Sequence, residues 1–314
     1  MERFPPGGRI GGTGGRWGAR LPGGRVKLNR RSAVGRVVRR GELRVAILAI
    51  EGTNCDQELF EAFRSLGCQP EIVFLKQLEG ERSPPSLRRR LSDFQILMLP
   101  GGFSAGDYVR AGAVLAARIQ SRLGDEMADF IRSGKLVGGI CNGFQVLVEM
   151  GLLPGGVEAR PGPPQAALNT NDSAHFECRP TYCRWDGGNF RPFKDHLPAG
   201  TVLYIPSAHG EGKLILSGAH GADLRDLLAN GQILFRWTDP DGNPAGYPWN
   251  PNGSPGDVAG LTSREGTVFG LMPHPERSFQ IYHHPDWMRR PVSSDMGDGR
   301  RFFEAMVRYA ETHL

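Results

Sequence analysis

Gly139-Ile140-Cys141-Asn142-Gly143 joins the apolar run that opens at Leu136-Val137 to the amphipathic run Phe144-Gln145-Val146-Leu147-Val148-Glu149-Met150. The join leaves no room for a loop, so a strand has to pass into a helix through one sharp turn. A Gly-x-nucleophile-x-Gly turn holds its central residue in a strained backbone conformation that only flanks without side chains permit. It also lifts that side chain clear of the sheet at a helix N-terminus, whose positive end favours a thiolate. The segment predicts a cysteine nucleophile at Cys141, the alternative being a buried structural cysteine.

The chain around this turn alternates strand and helix. Residues 44–50, 71–75, 94–99 and 136–140 read as short buried strands, and 57–66, 109–120 and 125–132 as helices between them. Such spacing predicts an α/β, three-layer fold, a central mostly parallel sheet with helices on both faces. Further short apolar runs at 201–205, 231–237 and 267–272 add strands, among them a smaller antiparallel portion. Ligands of such sheets bind at the carboxyl ends of the strands, where Gly52, Gly101 and Cys141 all fall. One domain over residues 43–314 is expected.

Charge separates that domain from what precedes it. The net charge is +5, but residues 1–42 hold ten Arg and Lys27 against Glu2 and Glu42. The remainder carries 27 basic and 31 acidic residues, a net charge of −4. The Gly/Arg-rich segment 1–42 has too little apolar periodicity to fold alone and is expected to be a disordered extension. A misassigned start and a nucleic-acid-binding arm are the other readings, the latter disfavoured. The apolar runs are of strand length, well short of the ~18 residues of a membrane span. Five cysteines, an odd number without a secretion signal, fit a reducing cytoplasm. Cys178 and Cys183 have no second pair at ligand spacing, so no metal site is expected.

A cysteine nucleophile needs a base and an orienter for that base. Of the eight histidines, His274 in Met272-Pro273-His274-Pro275-Glu276-Arg277 follows an apolar strand. An extended backbone through Pro275 would put His274 and Glu276 on one side, so that Glu276 holds one ring nitrogen while the other faces Cys141. For an oxyanion hole, the N–H of Asn142 is one natural donor, and Gly102 in Pro100-Gly101-Gly102-Phe103 is the expected second.

These residues match a family. The chain resembles class I, triad-type glutamine amidotransferases, and within them the glutaminase components of phosphoribosylformylglycinamidine synthase, an enzyme of purine biosynthesis. The likeness runs through Gly52-Thr53-Asn54-Cys55-Asp56, Leu99-Pro100-Gly101-Gly102-Phe103-Ser104, Gly106-Asp107-Tyr108, the Cys141 turn, Asn171-Asp172-Ser173, Ala208-His209-Gly210-Glu211-Gly212, Asn250-Pro251-Asn252-Gly253-Ser254 and Met272 to Arg277. It implies the flavodoxin-like class I glutaminase fold. It also implies that Cys141 attacks the side-chain amide of glutamine, His274 protonates the departing ammonia and then activates water, and Glu276 holds the imidazole. Gln145 would help hold the glutamine. His209 and Glu211 would lie near the pocket, or else form a polar turn. Ala105, Val109 and the segment 178–183 depart from the usual pattern.

Ammonia made here needs an acceptor. The sequence has no P-loop or other nucleotide fingerprint, so no cofactor is expected on this chain. The resemblance implies that a large synthetase subunit, with a small bridging subunit, uses ATP and Mg to convert formylglycinamide ribonucleotide to formylglycinamidine ribonucleotide. It implies too that the partner orders the oxyanion loop. Service to a different amidotransferase complex and a non-catalytic regulatory role are the competing functions.

Overall fold

The run Arg44–Ala49 forms the first strand, β1, and from Val45 onward every side chain is buried, as in a strand covered on both faces. The computed structural model describes residues 38–80, 83–155, 160–218, 222–289 and 296–314. Expectations for residues 1–37 therefore lie outside the described residues. Residues 38–42, which the sequence reading grouped with the extension, join the domain: Arg40–Glu42 form a 3-10 turn, and Arg40 is ion-paired with Glu311 at 2.8 Å.

After β1 come helix α1 (Asp56–Ser65), β2 (Gln69–Phe74), β3 (Ile96–Leu99), α2 (Ala113–Arg132), β4 (Leu136–Ile140) and α3 (Asn142–Glu149). The second half supplies β5 (Tyr182–Trp185), β6 (Thr201–Tyr204), β7 (Ile233–Thr238), β8 (Val258–Thr262), β9 (Val268–Leu271) and the last helix, α4 (Asp298–His313). Among the described residues these nine strands form one sheet in the order β2-β1-β3-β4-β9-β8-β7-β5-β6. The first five are parallel and the rest antiparallel. The parallel half has the 2-1-3-4-5 spatial order of flavodoxin-like sheets. Helices α2 and α3 pack together, while α1 meets α4 edge to face through Phe63 and Phe303, ring centroids 5.3 Å apart.

Two expected helices over 109–120 and 125–132 are in fact the single 20-residue α2. Gly124 interrupts the pattern in sequence only. The buried stripe Leu115, Ala116, Ile119, Leu123, Met127, Phe130, Ile131 runs straight past it, and that burial outweighs the ~1 kcal/mol glycine penalty in a helix. The helix starts later than expected because Gly112, at φ +77°, blocks extension toward Val109.

Register sets the site. Leu99 and Gly270 both pair with Gly139, and Leu271 pairs with Ile140, so the carboxyl ends of β3, β4 and β9 lie level. Two separate two-stranded antiparallel sheets, Ala166–Asn169 with Lys213–Leu216 and Glu177–Arg179 with Ser207–His209, add to the second half. No helix among the described residues is long and apolar enough to cross a membrane.

Candidate active site

Between β4 and α3 the chain turns on a single residue. Cys141 sits at φ +53°, ψ −107°, a conformation that costs a non-glycine residue on the order of 1–3 kcal/mol. Its N–H donates to the Leu271 carbonyl of β9 at 2.8 Å, and its own carbonyl accepts from Phe144 and Gln145, the first turn of α3. The flanking glycines are steric necessities. A Cβ on Gly143 would collide with the Leu99 carbonyl, and one on Gly139 with the Gly143 carbonyl. The N–H of Asn142, first in α3, has no intrahelical acceptor.

His274 comes to this turn from the end of β9, its N–H bonded to the Pro206 carbonyl at 2.8 Å. The extended path expected through Pro275 is not taken. Pro275–Ser278 form a 3-10 turn with proline in its first position, which suits proline's fixed φ and missing N–H. The tight turn still brings the two side chains together: His274 Nδ1 lies 2.6 Å from Glu276 Oε1, both buried. The buried Nε2 is the ring nitrogen without a hydrogen-bond partner among the described residues. Burial opposes charge on this ring, but the Glu276 carboxylate and contacts to the Cys141 and Cys55 thiols outweigh it and hold the imidazole pKa well above its usual value.

The loop after β3 forms the facing wall. Gly102 lies at φ +133°, and a Cβ there would strike the Asn54 N–H and the Gly52 carbonyl. It forms an isolated antiparallel bridge with Thr53 whose two bonds are Asn54 N–H to Gly101 O and Phe103 N–H to Gly52 O, each 2.8 Å. In that geometry the N–H of Gly102 itself is off the ladder. Gly101 is as tightly placed, since a Cβ would lie 2.9 Å from His274 Cε1 and 3.4 Å from Cys141 Cβ.

The family profile of CobB/CobQ-like glutamine amidotransferase domains matches residues 42–310. The chain belongs to the glutamine amidotransferase family. Within it, the curated phosphoribosylformylglycinamidine synthase subunit PurQ of Archaeoglobus fulgidus is 46% identical over 87% of this chain and 98% of its own length. That of Picrophilus torridus is 40% identical over 84% and 97%. Among solved structures, PurLQS from Thermotoga maritima superposes on 85% of this chain and 99% of the matched chain, with a TM-score of 0.63 at 30% identity.

In this amidotransferase Cys141, His274, Gly102, Gln145, His209, Asp107, Glu211 and Arg277 share one cavity of about 300 Å³. Gln145 faces it with its amide already engaged, Nε2 donating to Glu211 O at 2.6 Å and Oε1 accepting from Asn142 Nδ2 at 3.0 Å. Its place is thus as much to pin the 208–211 segment as to meet a ligand. Burial, seconded by the nearby His274, pushes the His209 pKa down to about 3, so the ring is neutral at pH 7. Asn252 Nδ2 donates to His209 Nε2 at 3.2 Å, its Oδ1 being fixed by Ser254. The proton therefore belongs on Nδ1, which is buried with no partner among the described residues.

Asp107, Cys55 and Arg277 line the cavity without a role assigned to them in the sequence. Asp107 accepts from Gly112 N–H and Asn142 Nδ2, and its burial raises its pKa. Cys55 Sγ lies 3.9 Å from His274 Nδ1 and accepts from Arg277 Nη2 at 2.8 Å. The signals for Cys55 were its position after β1, at a strand end, and its place in the family-like segment Gly52 to Asp56. Cys55, His274 and Glu276 place S, N and O donors within 4.8 Å of one another, a set that could hold a metal ion. The 2.6 Å N–O contact is a hydrogen bond, too short for two ligands of one ion at ordinary bond lengths, and the Arg277 cation on the sulfur opposes a second cation.

Proposed function

We propose that this chain is the glutaminase subunit of a phosphoribosylformylglycinamidine synthase, hydrolysing glutamine to glutamate and ammonia with Cys141, His274 and Glu276. The observation that carries the reading is the convergence of the strained Cys141 turn and the Glu276-bound His274 on one cavity.

In this mechanism the Cys141 thiolate adds to the side-chain amide carbon of glutamine. The oxygen takes up negative charge facing the N–H groups of Asn142 and Gly102. A His274 ring held protonated by Glu276 gives its proton to the departing nitrogen, ammonia leaves, and a thioester remains. The now neutral imidazole removes a proton from water, which attacks the thioester and releases glutamate and the thiolate. His209, neutral with a free Nδ1–H, and Gln145 are the proposed contacts to the glutamine.

The ammonia passes to a large synthetase subunit, joined by a small bridging subunit, which uses ATP and Mg to amidinate formylglycinamide ribonucleotide. No cofactor is assigned to this chain in that scheme. A cytoplasmic setting accords with five unpaired cysteines. The test is to inactivate the protein with an electrophilic glutamine analogue and map the adduct by peptide mass. Label on Cys141 is expected, and label on Cys55 or Cys68 instead would overturn the mechanism.

A further inference from the structure

Cys55 stands in the same cavity as Cys141 yet takes no part in the chemistry above. It is held with unusual insistence. Its backbone is in the left-handed region at φ +61°, it caps the start of α1 without a side-chain bond to that helix, and its sulfur is buried. That sulfur instead makes two contacts to residues more than 200 positions away, 3.9 Å to His274 Nδ1 and 2.8 Å from Arg277 Nη2. Burial raises the thiol's pKa, so the sulfur stays neutral and can accept from a cation without competing for it as an anion.

The segment that carries Cys55 also holds the oxyanion loop. Gly52 O, Asn54 N–H and Glu51 O bond Phe103, Gly101 and Ala105 respectively, at 2.8–2.9 Å. One short stretch, residues 51–55, therefore grips Gly102 with its backbone and the His274–Glu276 pair with its one thiol. We infer that Cys55 is a positioning residue, clasped by Arg277, which fixes the His274 ring and keeps it in register with the Gly102 donor. The inference rests on the glutaminase reading and adds to it a residue and a route by which base and oxyanion donor are set together. Removing the sulfur takes away the contact at the Nδ1 edge of the imidazole and lets the 51–55 segment part from the turn after β9.

The groups facing His274 are Glu276 and Arg277 from its own turn, Cys55 from the loop after β1, Cys141 from the loop after β4, and His209 across the cavity. Loss of the Cys55 contact removes one influence that favours the imidazolium, and the Cys141 thiolate loses part of its counter-charge. Alanine keeps the left-handed backbone at the same steric cost as cysteine, so Cys55→Ala isolates the sulfur.

The test follows iodoacetamide alkylation of Cys141 by peptide mass across pH, on the full chain, for wild type, Cys55→Ala, Cys55→Ser and Arg277→Gln. In Cys55→Ala the alkylation midpoint should rise by about half a pH unit, the size of one weak contact. The glutaminase kcat should fall roughly tenfold with KM changed less than about threefold. Cys55→Ser, whose hydroxyl can still accept from Arg277, should recover part of both, and Arg277→Gln should resemble Cys55→Ala. An unmoved midpoint and kcat in Cys55→Ala, or a fall in thermal midpoint alone, would overturn the positioning role. Failure of wild-type Cys141 to alkylate ahead of the other thiols is a different result, and it would count against the glutaminase reading itself.

Discussion

The two walls of the cavity are built in opposite ways. On one side, the turn that carries Cys141 is locked by contact: Gly139 and Gly143 have no room for a methyl group, and every residue from Leu136 to Val148 is buried. On the other, the loop from Gly101 to Gly112 is suspended from residues 51–55 and from Asn142 by hydrogen bonds. Ala105, Gly106 and Asp107 follow one another at positive φ, and Phe103, Tyr108 and Val109 are 52%, 91% and 71% exposed. The proposed attacking atom is thus set by close packing, which changes abruptly or not at all, and the proposed oxyanion donor by a loop whose outer part is strained and open.

Mutations can probe that contrast. Cys141→Ala should abolish glutamine-dependent turnover while the reconstituted complex still works on added ammonia. Loss of both activities would show that the packed wall does more than present a thiol. Gly143→Ala drives a methyl group into the Leu99 carbonyl and should cost about 3 kcal/mol or more in urea unfolding, as backbone clashes in a core do. Gly102→Ala also meets backbone, the Asn54 nitrogen and the Gly52 carbonyl, at φ +133°; it should cost stability too, and by displacing the proposed donor it should lower kcat by ~10²-fold. A Gly102→Ala protein that keeps wild-type kcat would show that the loop does not set the proposed donor.

A smaller effect concerns pH. The folded His274 pKa is raised, chiefly by Glu276 against the penalty of burial. Its charge therefore adds stability that is fully present below about pH 6.5, the unfolded histidine value, and fades as pH rises through the folded value. Glu276→Gln should lose stability most at low pH, the gap to wild type closing on the alkaline side in unfolding curves. The least effect is expected from deleting residues 1–37, which should leave glutamine turnover within about twofold. The cut is placed before Arg40 to keep its ion pair with Glu311.

Much of the packed wall was legible in the sequence because it is local. Gly-Ile-Cys-Asn-Gly between a strand and a helix dictates its own geometry, and the parallel order follows from alternating short strands and helices. The suspended wall was only half legible. Gly102 could be named from its place at a strand end, but the bonds that hold it come from a different loop. Cys55 was invisible as a neighbour of His274, since that contact exists only once β1 and β9 share a sheet. The same holds for Gln145, whose side chain is engaged by Asn142 and by the Glu211 carbonyl 66 positions away. Local rules misjudged Gly124 and Pro275 for a shared reason: tertiary burial carried a helix through the first, and a tight turn replaced extension at the second.

The strand that completes the Cys141 turn arrives late. Leu271 of β9 receives the Cys141 N–H, and β9 lies 130 residues further along the chain, inserted between β4 and β8. At ribosomal rates of ~5–20 residues per second, the thiol emerges on the order of ten seconds before its proposed base and its backbone anchor exist. On the proposed mechanism, a nascent or prematurely terminated chain therefore carries a cysteine without its imidazole or its β9 anchor, and it cannot spend glutamine until synthesis has passed His274.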